Sequence, residues 1–193
     1  TAIEDFRNCP RCFYQHRRPG FRRPYGGSSD LPNVVDRLLK REFDSYRERQ
    51  EPHPLMVGLP GDLVPFAHDE LETWRDNYEG IEVPFPDAGF IVTGAVDDVW
   101  LERTTGALVV VDFKTSTKET VQAMMSAYGE AYERQLEVYR WLLLERGFEV
   151  SDTGYLVVAR PEERAMDFGG ALRFTTETVA ITCDTHWVRD DIM

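Results

Sequence analysis

The sequence contains few cysteines and no long apolar segment. Three cysteines in 193 residues cannot build a dense disulfide framework, and an odd number is typical of a reducing compartment. No run approaches the roughly 18 consecutive apolar residues of a membrane helix, and the opening residues TAIEDFRNCPRCFY lack the apolar core of a secretory signal. These absences exclude disulfide-rich secreted scaffolds and helical membrane proteins, so we expect a cytoplasmic protein with no membrane partner.

Internal repeats and low-complexity tracts are also absent from the sequence. The chain is 42% hydrophobic and 12% aromatic, which is enough to bury a core and excludes a wholly disordered protein. A length of 193 residues, against about 150 per domain, predicts one domain that includes a basic N-terminal segment over residues 1–30. The chain does not begin with methionine, and Met193 falls shortly after the start of a predicted helix. We therefore expect a fragment with a truncated C-terminus.

Positive charge is scarce overall but concentrated at one end. The net charge of −12 argues against a polyanionic partner, yet residues 1–50 carry a net charge of +4 and residues 51–193 one of −16. In the opening segment arginines alternate with aromatic residues, a composition that favours phosphate contacts and base stacking. The alternative is an ordinary solvated surface. The candidate nucleic-acid-binding residues are Arg11, Arg17, Arg18, Arg22 and Arg23.

Hydrophobic spacing predicts helices, then a hairpin, a long helix and two strands. Two short helices are broken near Cys9 and Pro10, an amphipathic helix begins at Asn33, residues 51–66 form a loop, and residues 68–80 contain a short helix. The runs GFIVTGAVDDVWLE and ALVVVDFKTS form the hairpin. A long helix over residues 119–146, whose inward face would include Tyr128, is followed by strands in GYLVVAR and ALRFTTETVAIT. This order predicts an α/β fold with a central mixed sheet flanked by helices.

Acidic residues interrupt both strands of the predicted hairpin. Asp112 breaks the apolar run VVVDFKT, and Lys114, two residues later, leaves the same face of the strand. The hairpin brings Asp97 and Asp98 opposite Asp112 and Phe113. Close carboxylates repel each other unless a cation neutralises them, and Mg²⁺ prefers oxygen ligands. The pattern therefore predicts a metal site, with a structural Asp–Lys ion pair at the sheet edge as the alternative.

Four motifs together resemble the PD-(D/E)XK nuclease superfamily: CPRCFY at 9–14, GAVD at 94–97, VVVDFKT at 109–115 and RQLEVYRWLL at 134–143. The most similar branch contains the nuclease lobe of recombination helicase-nucleases and the CRISPR-associated spacer-adaptation exonucleases. The resemblance implies a restriction-endonuclease-like fold and Mg²⁺- or Mn²⁺-dependent hydrolysis of DNA phosphodiester bonds. It also implies a role in repair, recombination or defence, with single-stranded or duplex DNA ends as substrate and a helicase or another repair or defence protein as partner.

The resemblance also assigns roles to the residues of the hairpin. It makes Asp97 and Asp112 metal ligands, together with the backbone carbonyl of Phe113, and it makes Lys114 the catalytic lysine. The hairpin alone does not choose between Asp97 and Asp98, because a one-residue slip in register exchanges the faces. The GxxD spacing of the family selects Asp97.

Two residues of the predicted long helix match the Q-x-x-x-Y motif of the family. Gln135 and Tyr139 are four residues apart, so they share a helix face with Tyr132 and Leu142. The resemblance implies that they line the catalytic site and contact the substrate or Lys114. The alternative is that they are polar residues at the rim of a stripe that faces the core.

The first long helix departs from the pattern of the family. Many members of this branch carry a metal-binding histidine there, and this sequence has Asp36 in the matching place. An aspartate can still bind Mg²⁺ through oxygen. The alternative is that Asn33 is the N-cap and Asp36 the acidic third residue of the helix, where both would stabilise its start.

The remaining candidate metal ligands are cysteines and a histidine. Cys9 and Cys12 form CxxC, and Cys183 and His186 form CxxH, a set that is permissible for zinc. Relatives with an iron–sulfur cluster use a C-terminal cysteine cluster that is absent from this sequence. We therefore favour thiols buried in the core over a zinc or iron–sulfur site.

The sequence thus predicts a Mg²⁺-dependent deoxyribonuclease. One alternative is a catalytically silent DNA-end-binding or adaptor domain of a larger assembly, against which the intact Asp97, Asp112 and Lys114 argue. Another is a zinc- or cluster-stabilised interaction domain, which depends on the Cys and His residues alone. Exonuclease and endonuclease action are both compatible with these residues.

Overall fold

The computed structural model describes residues 2–17, 30–86, 88–162 and 169–193. Its elements in chain order are α1 (Ala2–Asn8), α2 (Pro10–His16), α3 (Asp30–Arg49), a short 3-10 helix (Pro54–Met56), β1 (Leu63–Pro65), α4 (Leu71–Arg75), β2 (Ile81–Phe85), β3 (Phe90–Gly94), β4 (Asp98–Glu102), β5 (Leu108–Thr115), α5 (Val121–Glu145), β6 (Thr153–Pro161), β7 (Phe174–Thr182) and α6 (Val188–Ile192).

A five-stranded mixed sheet in the order β1-β4-β5-β6-β7 forms the centre of the molecule. Strands β5 and β6 are parallel and are joined through α5, whereas the other neighbouring strands are antiparallel. Strands β2 and β3 pair with each other in a separate two-stranded sheet. The predicted mixed sheet flanked by helices is confirmed, and this architecture is consistent with the expected restriction-endonuclease-like class.

Apolar clusters cover both faces of the central sheet because the side chains of β5 alternate in direction. Val111 belongs to the cluster that includes the buried residues of α3, and Val110 to the cluster that includes Leu142 of α5. Asp112 and Lys114 have the same parity as Val110. The alternation of this strand therefore directs the Asp112 and Lys114 side chains toward α5.

The run predicted as one strand over residues 89–102 is two strands in different sheets, so that prediction is wrong. β3 pairs with β2 and ends at Gly94, and β4 begins at Asp98 and pairs with β5. A Cβ atom on Gly94 would lie 2.6 Å from Leu142 Cδ1, so glycine allows the chain to pass close beneath α5. The break leaves residues 95–97 outside both sheets, with Asp97 among them.

A strand also lies in the segment 51–66, which the sequence analysis predicts as loop. β1 (Leu63–Pro65) pairs with β4 at the edge of the central sheet, and Leu63 and Val64 are buried there. An edge strand tolerates Pro65 because one side of its backbone has no strand to which a hydrogen bond would be donated. The proline content hides this strand from pattern analysis.

Helix α3 spans Asp30–Arg49 and so does not begin at Asn33. Asn33 is therefore not the N-cap and Asp36 is not the third residue, and the capping interpretation of both residues is wrong. Pro32 lies within the first turn, where a missing N–H costs no intrahelical hydrogen bond. Asp36 lies beyond the first turn of α3, so the Asp36 side chain is available for contacts with other parts of the molecule.

Helix α5 has both of its ends defined by side chain or backbone chemistry. The Thr120 hydroxyl accepts a hydrogen bond from the Ala123 N–H at 3.1 Å, and Gly147 takes a φ of 87° just after the helix. Tyr128, predicted to face inward, is 49% exposed. Among the described helices, α5 included, none is long and apolar enough to cross a membrane.

Candidate active site

Asp97 lies in the short segment between β3 and β4, level with Asp112 of β5. The pairing of Asp98 with Val111 in the β4–β5 hairpin sets this alignment. Asp97 Oδ2 accepts a hydrogen bond from the Phe113 backbone N–H at 2.8 Å, and Oδ1 is 3.2 Å from Lys40 Nζ. The main chain of β5 therefore fixes the carboxylate beside Asp112.

Asp112 is almost fully buried and contacts Lys114. One Asp112 oxygen forms an ion pair with Lys114 Nζ. Burial and, to a smaller extent, the negative charge of Asp97 together raise the pKa of Asp112 to about 7, and Lys114 opposes the shift. Two carboxylates thus share one small region, and the charge of Asp97 disfavours ionisation of Asp112.

Helix α5 extends this contact chain with the two residues of the Q-x-x-x-Y motif. Lys114 Nζ donates to Gln135 Oε1 at 3.0 Å, and Gln135 Nε2 donates to Tyr139 Oη at 2.6 Å. Lys114 Nζ also lies 4.9 Å from the ring centroid of Tyr132. Burial and the charge of Asp112 hold the pKa of Tyr139 well above its usual range. The Tyr139 hydroxyl therefore stays protonated. Because it accepts a hydrogen bond from Gln135, its own proton remains available for donation.

The donor set around Asp97 and Asp112 suits a hard divalent cation. Both side chains offer carboxylate oxygens, and the hydrogen bond from Phe113 brings its main chain to the same place. Mg²⁺ commonly binds through one or two carboxylates and keeps several waters. Within the described ranges no group of three or more Cys, His, Asp or Glu side chains could hold a metal. The residues fit a Mg²⁺ or Mn²⁺ site with two carboxylates and not a closed protein cage.

Lys40 is a site residue that the sequence analysis did not identify. Its Nζ lies 3.0 Å from Asp36 Oδ2, one helical turn earlier on α3, and bridges that carboxylate to Asp97. Burial and the charge of Asp97 raise the pKa of Asp36, and Lys40 opposes this shift. Burial alone would lower the pKa of Lys40, but Asp97 and Asp36 outweigh it and raise the value. The i, i+4 spacing of Asp36 and Lys40 in the sequence could have predicted that the two side chains pair.

Asp98 lies away from this site, in a buried ion-pair cluster with two arginines. It is fully buried, and its Oδ1 accepts from Arg75 Nη2 at 2.8 Å, from Arg47 Nη2 and from the Val99 N–H at 2.9 Å. Asp44 contacts both arginines as well. Of the two aspartates that the hairpin left open, Asp97 is therefore the one beside Asp112.

The candidate nucleic-acid-binding arginines divide between described and undescribed residues. Arg11 lies in α2 and is exposed, and Arg17 directly follows α2, with its guanidinium 5.1 Å from the ring centroid of Phe13. Arg18, Arg22 and Arg23 lie outside the described residues. Both described arginines are therefore accessible to solvent, and Arg17 lies beside an aromatic ring.

The cysteines and His186 occupy separate environments. Cys9 caps α2, with its Sγ accepting the Cys12 N–H at 3.2 Å. Cys183 is buried, and burial raises the pKa of its thiol to about 11. The exposed His186 side chain lies 2.6 Å from Asp184. Together with the absence of any three-ligand group among the described residues, these placements bring no zinc ligand set together there.

Comparisons with known proteins give one family and one solved structure. The family model described as the PD-(D/E)XK nuclease superfamily matches residues 22–180. A solved structure titled "Crystal structure of SSO0001" is similar at 14% sequence identity with a TM-score of 0.38, and the alignment covers 100% of this chain and 69% of that chain. No curated protein matches the sequence significantly.

Proposed function

This chain belongs to the PD-(D/E)XK nuclease superfamily, and from its site geometry we propose that it hydrolyses DNA phosphodiester bonds with Mg²⁺ or Mn²⁺. The observation that carries the proposal is the connected set of Asp97, Asp112, Lys114, Gln135 and Tyr139. Lys114 contacts Asp112 and Gln135, Gln135 contacts Tyr139, and Asp97 accepts a hydrogen bond from Phe113, the residue between Asp112 and Lys114. These residues come from the segment before β4, from β5 and from α5, so the contacts are a product of the fold.

Asp97, Asp112 and the backbone carbonyl of Phe113 would hold the divalent ion. When bound, the ion polarises the scissile phosphate and lowers the pKa of a water nucleophile. Asp97 is held in place by the Phe113 N–H, and Asp112 is held by β5 and by Lys114. Both carboxylates are therefore positioned before the ion or the substrate arrives, which reduces the entropy cost of assembling the site.

Lys114 is the residue that acts on the reacting groups. Its ammonium is held between Asp112 and Gln135, and its side chain is 17% exposed. A cation fixed in this way stabilises negative charge that develops on the phosphate, and it can orient the attacking water through a hydrogen bond. Gln135 positions Lys114, and the Tyr139 hydroxyl has a proton to donate to the substrate strand or to a water.

A catalytically silent DNA-binding module is the rival function. The pKa of Asp112 is raised even though Lys114 contacts it, so its charged form is unfavourable in the folded chain unless a divalent ion is bound. A binding module would gain nothing from this arrangement, because its DNA contacts need only exposed cations. The burial of Asp112 beside Asp97 therefore favours an enzyme.

The finer features of the function follow from the motifs and the charge distribution. Exposed Arg11 and Arg17, with Arg18, Arg22 and Arg23 beside them in sequence, would contact DNA phosphates. The similarity of the motifs to helicase-nuclease lobes and spacer-adaptation exonucleases favours exonuclease action on DNA ends in repair, recombination or defence. It also favours a helicase or another protein of such an assembly as partner.

The proposed function is tested by incubating end-labelled single- and double-stranded DNA with the protein in Mg²⁺, Mn²⁺ or EDTA. We expect cleavage with either metal and none in EDTA, because the paired carboxylates need a cation to act on a phosphate. A labelled RNA of the same sequence is the matched substrate control. Cleavage that continues undiminished in EDTA would contradict the metal mechanism, and no cleavage under any condition would favour the silent binding module.

A further inference from the structure

Lys40 lies between two carboxylates of the site and has no part in the mechanism proposed above. Its Nζ is 3.0 Å from Asp36 Oδ2 and 3.2 Å from Asp97 Oδ1. Helix geometry brings Asp36 and Lys40, four residues apart, to the same face of α3. The Lys40 side chain is 20% exposed, so solvent and salt screen these contacts less than those of a surface ion pair.

The Lys40 ammonium contacts an Asp97 carboxylate whose other oxygen is already hydrogen-bonded to the main chain. Asp97 Oδ2 accepts from the Phe113 N–H, so its two oxygens contact a main-chain donor and a lysine. Asp112 contacts a different lysine, Lys114. Three carboxylates and two lysines therefore lie in one region. Lys114 contacts Asp112, and Lys40 contacts the other two carboxylates, Asp36 and Asp97.

We propose that Lys40 is a built-in cation of the site, which neutralises Asp36 and Asp97, lowers the affinity for divalent ions and limits the site to one ion. The inference rests on the proposed function, since it takes Asp97 as a metal ligand. Lys40 acts through Asp97 and is a positioning residue. It is the charge of Lys40, and not its packing, that sets metal affinity.

Direct binding of Mn²⁺ to the metal-free full chain tests this inference without any cleavage assay. Electron paramagnetic resonance of free Mn²⁺ gives both affinity and stoichiometry. Lys40→Met keeps the length of the side chain and removes its charge, so we expect roughly tenfold tighter binding or a second ion per chain, where the wild type binds one. Asp36→Asn should weaken binding, because Lys40 then pairs with Asp97 alone.

The double variant Lys40→Met with Asp36→Asn removes one charge of each sign. Its affinity should stay within about threefold of that of Lys40→Met, since Asp36 acts on Asp97 through the Lys40 ammonium and has little effect once that ammonium is gone. Lys118→Met is the matched control, because it removes the same charge from a lysine that lies 5.9 Å from the Tyr128 ring centroid. This control should bind Mn²⁺ as the wild type does.

Thermal melts establish that each variant is folded, and Lys40→Gln replaces Lys40→Met if the latter is not. Unchanged or weaker Mn²⁺ binding by the folded Lys40 variant overturns the inference, even if the wild type binds metal and cuts DNA. A wild type that binds one Mn²⁺ ion but cuts nothing contradicts only the nuclease function. A wild type that binds no Mn²⁺ overturns both.

Discussion

Asp97 and Asp98 are neighbours in the chain, yet they belong to opposite kinds of ionic environment. Asp98 is fully buried between the guanidinium groups of Arg47 and Arg75. Asp97 lies partly exposed beside a second carboxylate, Asp112. Burial and the charge of Asp97 raise the pKa of Asp112 to about 7, although Lys114 opposes the shift. One environment places a single buried carboxylate between two arginines, and the other places two carboxylates next to each other, each in contact with one lysine.

This difference indicates that the charge of Asp98 stabilises the fold, whereas the charges of Asp97 and Asp112 serve the proposed reaction. The arginines around Asp98 join α3 and α4 to the start of β4, and removal of one partner leaves buried charge unpaired. The carboxylates at Asp97 and Asp112 carry a repulsion that a divalent ion would relieve. Substitutions on the two sides should therefore affect different measurements.

The largest expected effect is on stability, at the Asp98 cluster. Asp98→Ala leaves Arg47 and Arg75 without their fully buried partner and with only the part-exposed Asp44 in contact with both, so we expect a loss of about 3–5 kcal/mol in the free energy of unfolding, measured by urea denaturation. Asp62→Ala, which breaks the exposed ion pair with Arg103, is the control and should cost at most about 1 kcal/mol. Equal losses for the two variants would show that the Asp98 cluster is not a structural centre.

The next effect is on turnover, at the site. Lys114→Ala removes the cation held by Asp112 and Gln135, so we expect kcat to fall by on the order of 10² or more, with DNA binding retained. Lys118→Ala removes the same charge four residues later and should leave kcat nearly unchanged. The measurement is single-turnover cleavage of saturating labelled DNA. A wild-type kcat in Lys114→Ala would show that Lys114 only forms a structural ion pair with Asp112.

The sequence was sufficient to predict that the strand and helix residues of the candidate site lie close together. Asp112, Lys114, Gln135 and Tyr139 lie on regular elements, where periodicity sets which side chains share a face. Asp97 lies in a break between two strands that hydrophobic pattern cannot detect, so only the resemblance to the family selected it over Asp98.

The contacts that cross between elements were beyond sequence analysis. The arginines that surround Asp98 come from α3 and α4, and the pattern of each helix alone treats an arginine as a surface residue. Lys40 was missed for the same reason: its pairing with Asp36 is local, but its contact with Asp97 depends on where α3 meets the sheet. The start of α3 was also misplaced, because its first turn contains proline and polar residues that resemble a loop.

The central claim is that the carboxylate of Asp112 serves the reaction and not the fold. Its most direct test is to measure the unfolding free energy of Asp112→Asn in EDTA together with cleavage in Mg²⁺. We predict that the variant is as stable as the wild type to within about 1 kcal/mol, or more stable, and that cleavage is lost. The raised pKa of Asp112 means that burial and Asp97 outweigh the contact with Lys114 against its charged form, and asparagine removes that charge while keeping the shape. Wild-type cleavage by Asp112→Asn, or a loss of stability as large as that of Asp98→Ala, would contradict the account.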